Sequence, residues 1–137
     1  MDSVETEFRN VEEKLDLLLA SEKRALCSAG FVVEDNSSRT YHYKNSHLIW
    51  IHSFRKEWLV DIERACVSVT LSYSEPIEAD SGVPYVDLSA RAELFQQGRE
   101  SRIEDRTKSK VSLVDLERLG ILNVVTTAFA QSARCLR

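Results

Sequence analysis

Hydrophobic positions follow a helical period at the start of the chain, a strand period through its middle and a helical period again near its end. In residues 2–28, Val4, Phe8, Val11, Leu15 and Leu18 fall at spacings of four and three, which draws an apolar stripe down one face of a long helix. Asp2 with Glu5 has the form of an N-terminal capping pair, and Gly30 supplies the residue that tolerates a left-handed C-terminal cap. The stripe could also serve as a dimer seam, but fewer than three clean heptads favour a core face.

The strand period begins with FVVED (31–35) and TYHYK (40–44), separated by the polar turn-former NSSR. HLIWIHSF (47–54) is apolar at both parities, as expected of a strand inside a sheet. The charged pair Arg55–Lys56 suits a hairpin turn leading into EWLVDIE (57–63). CVSVTLSY (66–73) alternates without a fault, with Val67, Val69, Leu71 and Tyr73 on one face and Ser68, Thr70 and Ser72 on the other. Beyond residues 74–86, Asp87 is expected to cap a short helix to about Gln97, with Leu88, Leu94 and Phe95 available for packing. GRESRIEDRTKSK (98–110) holds a single apolar residue and reads as a solvated connection. Ser112 and Asp115 form a capping box for a second long helix to about Ala133, with Gly120 marking a bend or close contact. A helix, about five antiparallel strands, a short helix and a long C-terminal helix define an α+β fold, with the helices on one sheet face.

Length and composition fit that picture. The 137 residues suit one domain, spanning 1–137, and 43% apolar with 29% charged residues is ordinary for a globular protein. Cys27, Cys66 and Cys135 show no CxxC spacing, and an odd, sparse set points to a reducing compartment. Two of the three sit among apolar neighbours and read as small core residues. With a polar, acidic start and no apolar run of membrane-spanning length, the expectation is a soluble, cytoplasmic protein. The net charge of −4 is uneven: residues 1–85 hold 15 acids and 9 bases (−6), and residues 86–137 hold 7 acids and 9 bases (+2). That distribution disfavours nucleic acid as a partner and makes a basic protein partner electrostatically easier.

No catalytic signature emerges. His42, His47 and His52 are spaced by five but lack companion metal ligands, so no metal or cofactor is expected, and they read as strand-edge histidines. There is no GxSxG, and the loop at Ser81–Gly82 lacks the glycines and lysine of a phosphate cradle. Tyr41, Tyr43, Trp50 and Trp58 could make a base-stacking platform, but core packing explains them at less expense. Asp61 and Glu63, two apart on one strand face, read as a wet sheet face rather than an acid/base pair. In LSYSEPIEADSGVPYVDL (71–88), Glu75, Glu78 and Asp80 lie between the chain's two prolines, Pro76 and Pro84. Restricted backbone freedom would preorganise these carboxylates for a partner, so the candidate partner-binding residues are Glu75, Glu78, Asp80, Asp61 and Glu63. The alternative is a solvated turn whose charges prevent edge association.

The opening helix ending in LCSAGF, the hairpin-like HLIWIHSFRKEWLVDIE, the YVDL helix start and the terminal helix from SLVDLERLGIL together resemble, in element order, the small bacterial immunity proteins of contact-dependent growth inhibition and other polymorphic toxin systems. The resemblance covers most of the chain as patterning and carries no residue-level motif. It implies a non-enzymatic antidote that binds a cognate toxin domain, commonly a nuclease, covering its active site or excluding substrate. A small oligomeric adaptor or regulatory domain is the alternative. An enzyme using His47 or His52 with a carboxylate would require a concave pocket holding those histidines.

Overall fold

The computed structural model describes residues 3–42, 45–74, 82–95 and 103–136. Helix α1 (Ser3–Ser28) leads into strands β1 (Val32–Asp35), β2 (Ser38–His42), β3 (Asn45–Val60), β4 (Glu63–Ser74), β5 (Tyr85–Phe95) and β6 (Ile103–Ser112). Helices α2 (Leu113–Leu119) and α3 (Ile121–Ala133) follow, then a single 3-10 turn, Arg134–Leu136. The sheet is antiparallel throughout, in the order β1-β3-β4-β5-β6, with β2 also paired to β3. The α+β class, the opening helix and the helices on one sheet face are as expected; the sheet is larger.

Strands β1 and β2 do not form the hairpin that NSSR suggested. Both pair with β3 in one register, Asp35 opposite His52 and Ser38 opposite Ile49, so they make one interrupted edge. At the interruption Asn36 donates its N–H to the Ile51 carbonyl (3.0 Å), and the Ser37 hydroxyl accepts from the Ile51 N–H (2.9 Å). Side chain replaces backbone in the ladder for one position, which satisfies groups that would otherwise be orphaned.

No turn occurs at Arg55–Lys56, because alternation places the two charges on opposite faces of one continuous strand. Arg55 reaches the helix-free face, where it pairs with Glu34 (3.3 Å). Lys56 lies on the helix side with its ammonium 4.3 Å from the Phe31 ring and 5.0 Å from that of Phe129, a cation–π pair of contacts. The turn comes instead at Asp61–Ile62, between the paired residues Val60 and Glu63. Asp61 has φ 57°, a left-handed conformation that Asp adopts more readily than most residues.

Residues 85–95 are a strand, not a helix. Val86, Ala90, Ala92 and Leu94 are buried at period two, and Val69 and Val67 of β4 stand opposite the two alanines. Alanine is the best helix former, but its small side chain here lets a helix lie close over the sheet. The polar run before residue 112 is also a strand: β6 pairs with β5 over ten positions, and its Arg106, Lys108 and Lys110 protect an edge from further pairing. The short helix therefore sits at α2, and the single long helix expected over 112–133 is two helices.

The break between them has a specific cause. Ser112 caps α2 by accepting from the Asp115 N–H (3.1 Å), as its capping box requires. At Gly120 the chain takes φ 90°, and the freed N–H groups opening α3 are capped by Glu22 from α1: Oε2 accepts from Ile121 (2.7 Å) and Oε1 from Leu122 (3.1 Å). The torsion calls for glycine, and a Cβ at position 120 would lie 2.9 Å from Glu22 Oε1 and push that carboxylate from its capping place.

Beneath α1 and α3 lies one apolar cluster. Helix α1 contributes Phe8, Val11, Leu15, Leu19 and Leu26, and the sheet contributes Trp50, Phe54, Val67, Val69 and Leu71. Helix α3 adds Ile121, Val124 and Val125, and Phe129 meets Phe31 edge-on at 5.6 Å. The expected capping residue Asp2 lies outside the described residues. No helix among the described residues is long and apolar enough to cross a membrane.

Candidate functional site

The two sheet faces differ in kind. Even-numbered positions of β3 and β5 and odd-numbered ones of β4 meet the helices, whereas the opposite parity carries Ser53, Ser68, Thr70, Ser72 and Ser89 on a face that the helices leave open. Two adjoining hollows of about 560 and 540 Å³ lie along this open face and share Thr70, Ser89 and Lys108. They form a trough whose floor is lowest where Ser68, Thr70 and Ser72 of β4 and Ser89 of β5 are short, and the longer Arg55, Arg91, Arg106, Lys108 and Lys110 stand around it.

Register turns the trough into charge rows. Arg55, Ser68, Arg91 and Arg106 stand side by side on β3, β4, β5 and β6. One row toward the β3–β4 turn come Glu57, Cys66 and Glu93; one row the other way come Ser53, Thr70, Ser89 and Lys108. Neighbouring strands are spaced by about 4.8 Å, so the arginine row spans roughly 14 Å. Among the described residues lining the two hollows are six cations (Arg55, Arg64, Arg91, Arg106, Lys108, Lys110) and three carboxylates (Glu57, Asp87, Glu93). Arg91 Nε lies 2.9 Å from Glu93 Oε1, and the Arg64 guanidinium stacks 4.6 Å from the Phe95 ring centre. Lys108 and Lys110 make no ion pair among the described residues. Ser53 and Thr70 share a hydroxyl hydrogen bond of 3.3 Å across the floor.

Cys66 is buried, but in the open-face row rather than under the helices. Burial raises its thiol pKa, and Glu57 and Glu93 raise it further against the opposing pull of Arg55 and Arg64, so the neutral thiol is favoured. Cys27 and Cys135 are exposed, so the expectation of two core cysteines fails.

A second polar cluster ties α1 to the sheet. Glu12, only 7% exposed, is held by Arg9 (3.1 Å) and Arg39, and Asp16 accepts from the Trp50 indole N–H (2.7 Å). His52 is buried on the helix side, its Nε2 3.7 Å from Asp35 Oδ1 and its Nδ1 without a hydrogen-bond partner. Burial depresses the His52 pKa against the raising influence of Asp35 and Asp16. For Asp35, desolvation acts upward, but hydrogen bonding to Ser37 and the nearby His52 and Arg39 bring the net shift down. His52 is thus a core residue, not the edge histidine expected, while His47 is exposed and the His42 side chain lies outside the described set. Neither His47 nor His52 lines the two open-face hollows. Among the described residues no group of three or more His, Cys, Asp or Glu is placed to hold a metal ion.

Trp50 and Trp58 serve the core rather than a surface platform: Trp50 is fully buried, and Trp58 packs 5.6 Å from Phe129. Glu75, Glu78 and Asp80 lie outside the described residues. Asp61 and Glu63 do not share a strand face, since Asp61 is in the β3–β4 turn and Glu63 opens β4. Ser74, which precedes Glu75, ends that same strand, so Glu63 and Ser74 are separated by about 36 Å at the usual strand rise. Asp61 and Glu63 therefore stand at the end of β4 far from Ser74. Sequence reasoning missed the arginine row because its members come from three strands, two of them assigned to other structure. The alternation of Arg91 with Glu93 was the available signal. The chain matches no protein-family model, no curated protein and no solved structure.

Proposed function

We propose that this chain is a stoichiometric binding protein, an immunity protein that neutralises a cognate bacterial toxin domain in the cytoplasm, and that the open sheet face is its contact surface. One observation carries the reading: among the described residues, α1, α2 and α3 sit on one side of the sheet, and the other side of β3–β6 is a troughed, charged surface on regular strands. A main chain already fixed in a ladder of strands loses no further freedom on binding, which favours specific association. A nuclease domain is the proposed target, blocked by occlusion and not by chemistry performed by this chain. Co-expression with the product of the neighbouring gene tests the proposal. Restored host growth and a one-to-one complex on tag purification are expected; a toxic neighbour with neither rescue nor complex removes it.

A second reading, an oligomeric adaptor, draws on Leu59 and Ile62, which are 73% and 83% exposed at the β3–β4 tip. Light scattering of the purified chain separates it. A concentration-dependent dimer that Ile62→Ser abolishes supports the adaptor, and a monomer at all concentrations rejects it.

A further inference from the structure

We infer that the open face receives an acidic surface of the partner protein, with Arg55, Arg91 and Arg106 as a carboxylate-binding row and Lys108 and Lys110 as its flank. The inference rests on the proposed binding function and reverses the charge expected of the partner from net charge alone.

The reason lies in where the charge is placed. The whole chain carries −4, yet cations outnumber carboxylates six to three among the described residues lining the trough. Arg91 and Arg106 occupy directly opposed positions on β5 and β6, with Arg91 also bound to Glu93 (2.9 Å) and Arg55 to Glu34 (3.3 Å). A guanidinium paired along one edge keeps further N–H donors, and arginine forks bind carboxylates through two parallel hydrogen bonds. The short floor residues Ser68, Thr70 and Ser89 leave room for side chains to descend between β3 and β6. In a nuclease target, carboxylates that hold the catalytic metal would form such an acidic patch.

A nucleic acid is a poorer occupant. Stacking needs grouped aromatic faces, but Tyr85 and Phe95 stand at opposite ends of β5, about 33 Å apart at the usual rise. Glu57, Asp87 and Glu93 within the trough would also repel a continuous phosphate backbone, whereas a protein surface can offer donors beside its carboxylates.

The test is a titration of the full chain with a short oligoglutamate peptide at low salt, followed by amide NMR. A short oligolysine and a single-stranded DNA serve as competing probes. Saturable oligoglutamate binding that shifts Ser68, Thr70, Arg91, Arg106 and Lys108 is expected. Arg91→Gln with Arg106→Gln should weaken it about 10-fold, since each removes a charge-assisted contact. Lys14→Gln with Arg24→Gln, the same charge change on exposed positions of α1, should weaken it by less than about twofold. Should the Arg91 variant fail to fold, the exposed trio Arg106→Gln, Lys108→Gln and Lys110→Gln asks the same question. Equal loss in the α1 control, preference for oligolysine, or tighter binding of DNA would overturn the inference. A one-to-one toxin complex untouched by these variants would end the inference and leave the antidote reading. Trough-specific oligoglutamate binding without rescue by co-expression would do the reverse.

Discussion

The two faces of the sheet follow opposite rules. Under α1 and α3 the face is apolar, closely packed and joined by a few buried polar contacts, so its residues are constrained by volume. On the open face, hydroxyls and paired charges line a trough, and few of its side chains support another element. The contrast indicates that, among the described residues, the fold is held from the helix side. Change on the open side alters recognition, whereas change on the helix side alters whether the chain folds.

The largest effect should come from Trp50→Ala. It empties a fully buried site and removes the indole N–H that Asp16 accepts, and large aromatic deletions cost about 3–5 kcal/mol. Thr70→Ala, on the same sheet but facing the trough, should cost only about 0.5–1 kcal/mol, the net value of its one hydroxyl contact. Denaturant unfolding of both variants checks the pair, and equal losses would erase the distinction between the faces.

Next in size is the junction that fastens the helical layer. Gly120→Ala should cost about 1–3 kcal/mol, from a strained torsion and the approach to Glu22. Glu22→Ala should cost about 1–2 kcal/mol by uncapping Ile121 and Leu122. A double-mutant cycle should find the two changes less than additive, because removing the Glu22 carboxylate also removes the clash.

A smaller effect separates the faces by pH. Because folding lowers the His52 pKa, the unfolded chain binds more protons, and stability should fall as pH drops through about 6.5, the ordinary histidine value. Asp35, also lowered, contributes stability that is lost only as pH falls below about 3.9. Melting temperatures across this range should therefore decline in two windows, and His52→Phe should flatten the upper one. If that variant kept the full slope, a group outside the core would be responsible.

The smallest effect belongs to the edge. Lys108→Gln, exposed on β6, should change stability by no more than about 0.5 kcal/mol while altering the salt dependence of partner binding. Matched unfolding and association-rate measurements would show whether the two properties separate.

Several elements were legible locally. The stripe of α1, the strict alternation of β4, the double-sided apolar pattern of β3 and the Ser112 cap each follow from neighbours a few residues away. They identify an α+β chain before any tertiary contact is known. Where pattern misled, a distant partner had overridden it. Residues 85–95 contain good helix formers, yet β4 recruits them as a strand because Ala90 and Ala92 fit beneath α3. The run before residue 112 lacks an apolar period, yet β5 supplies a ladder for it. Arg55–Lys56 resembles a turn only until Phe31 and Phe129 are seen to receive the lysine.

By itself, then, the sequence determined which segments could bury an apolar face, since periodicity acts over one or two turns. The tertiary structure decided what stands beside what. It placed Glu22 at the start of α3, Arg91 opposite Arg106 and His52 under α1, because strand register and helix packing join residues tens of positions apart and no local period encodes those distances.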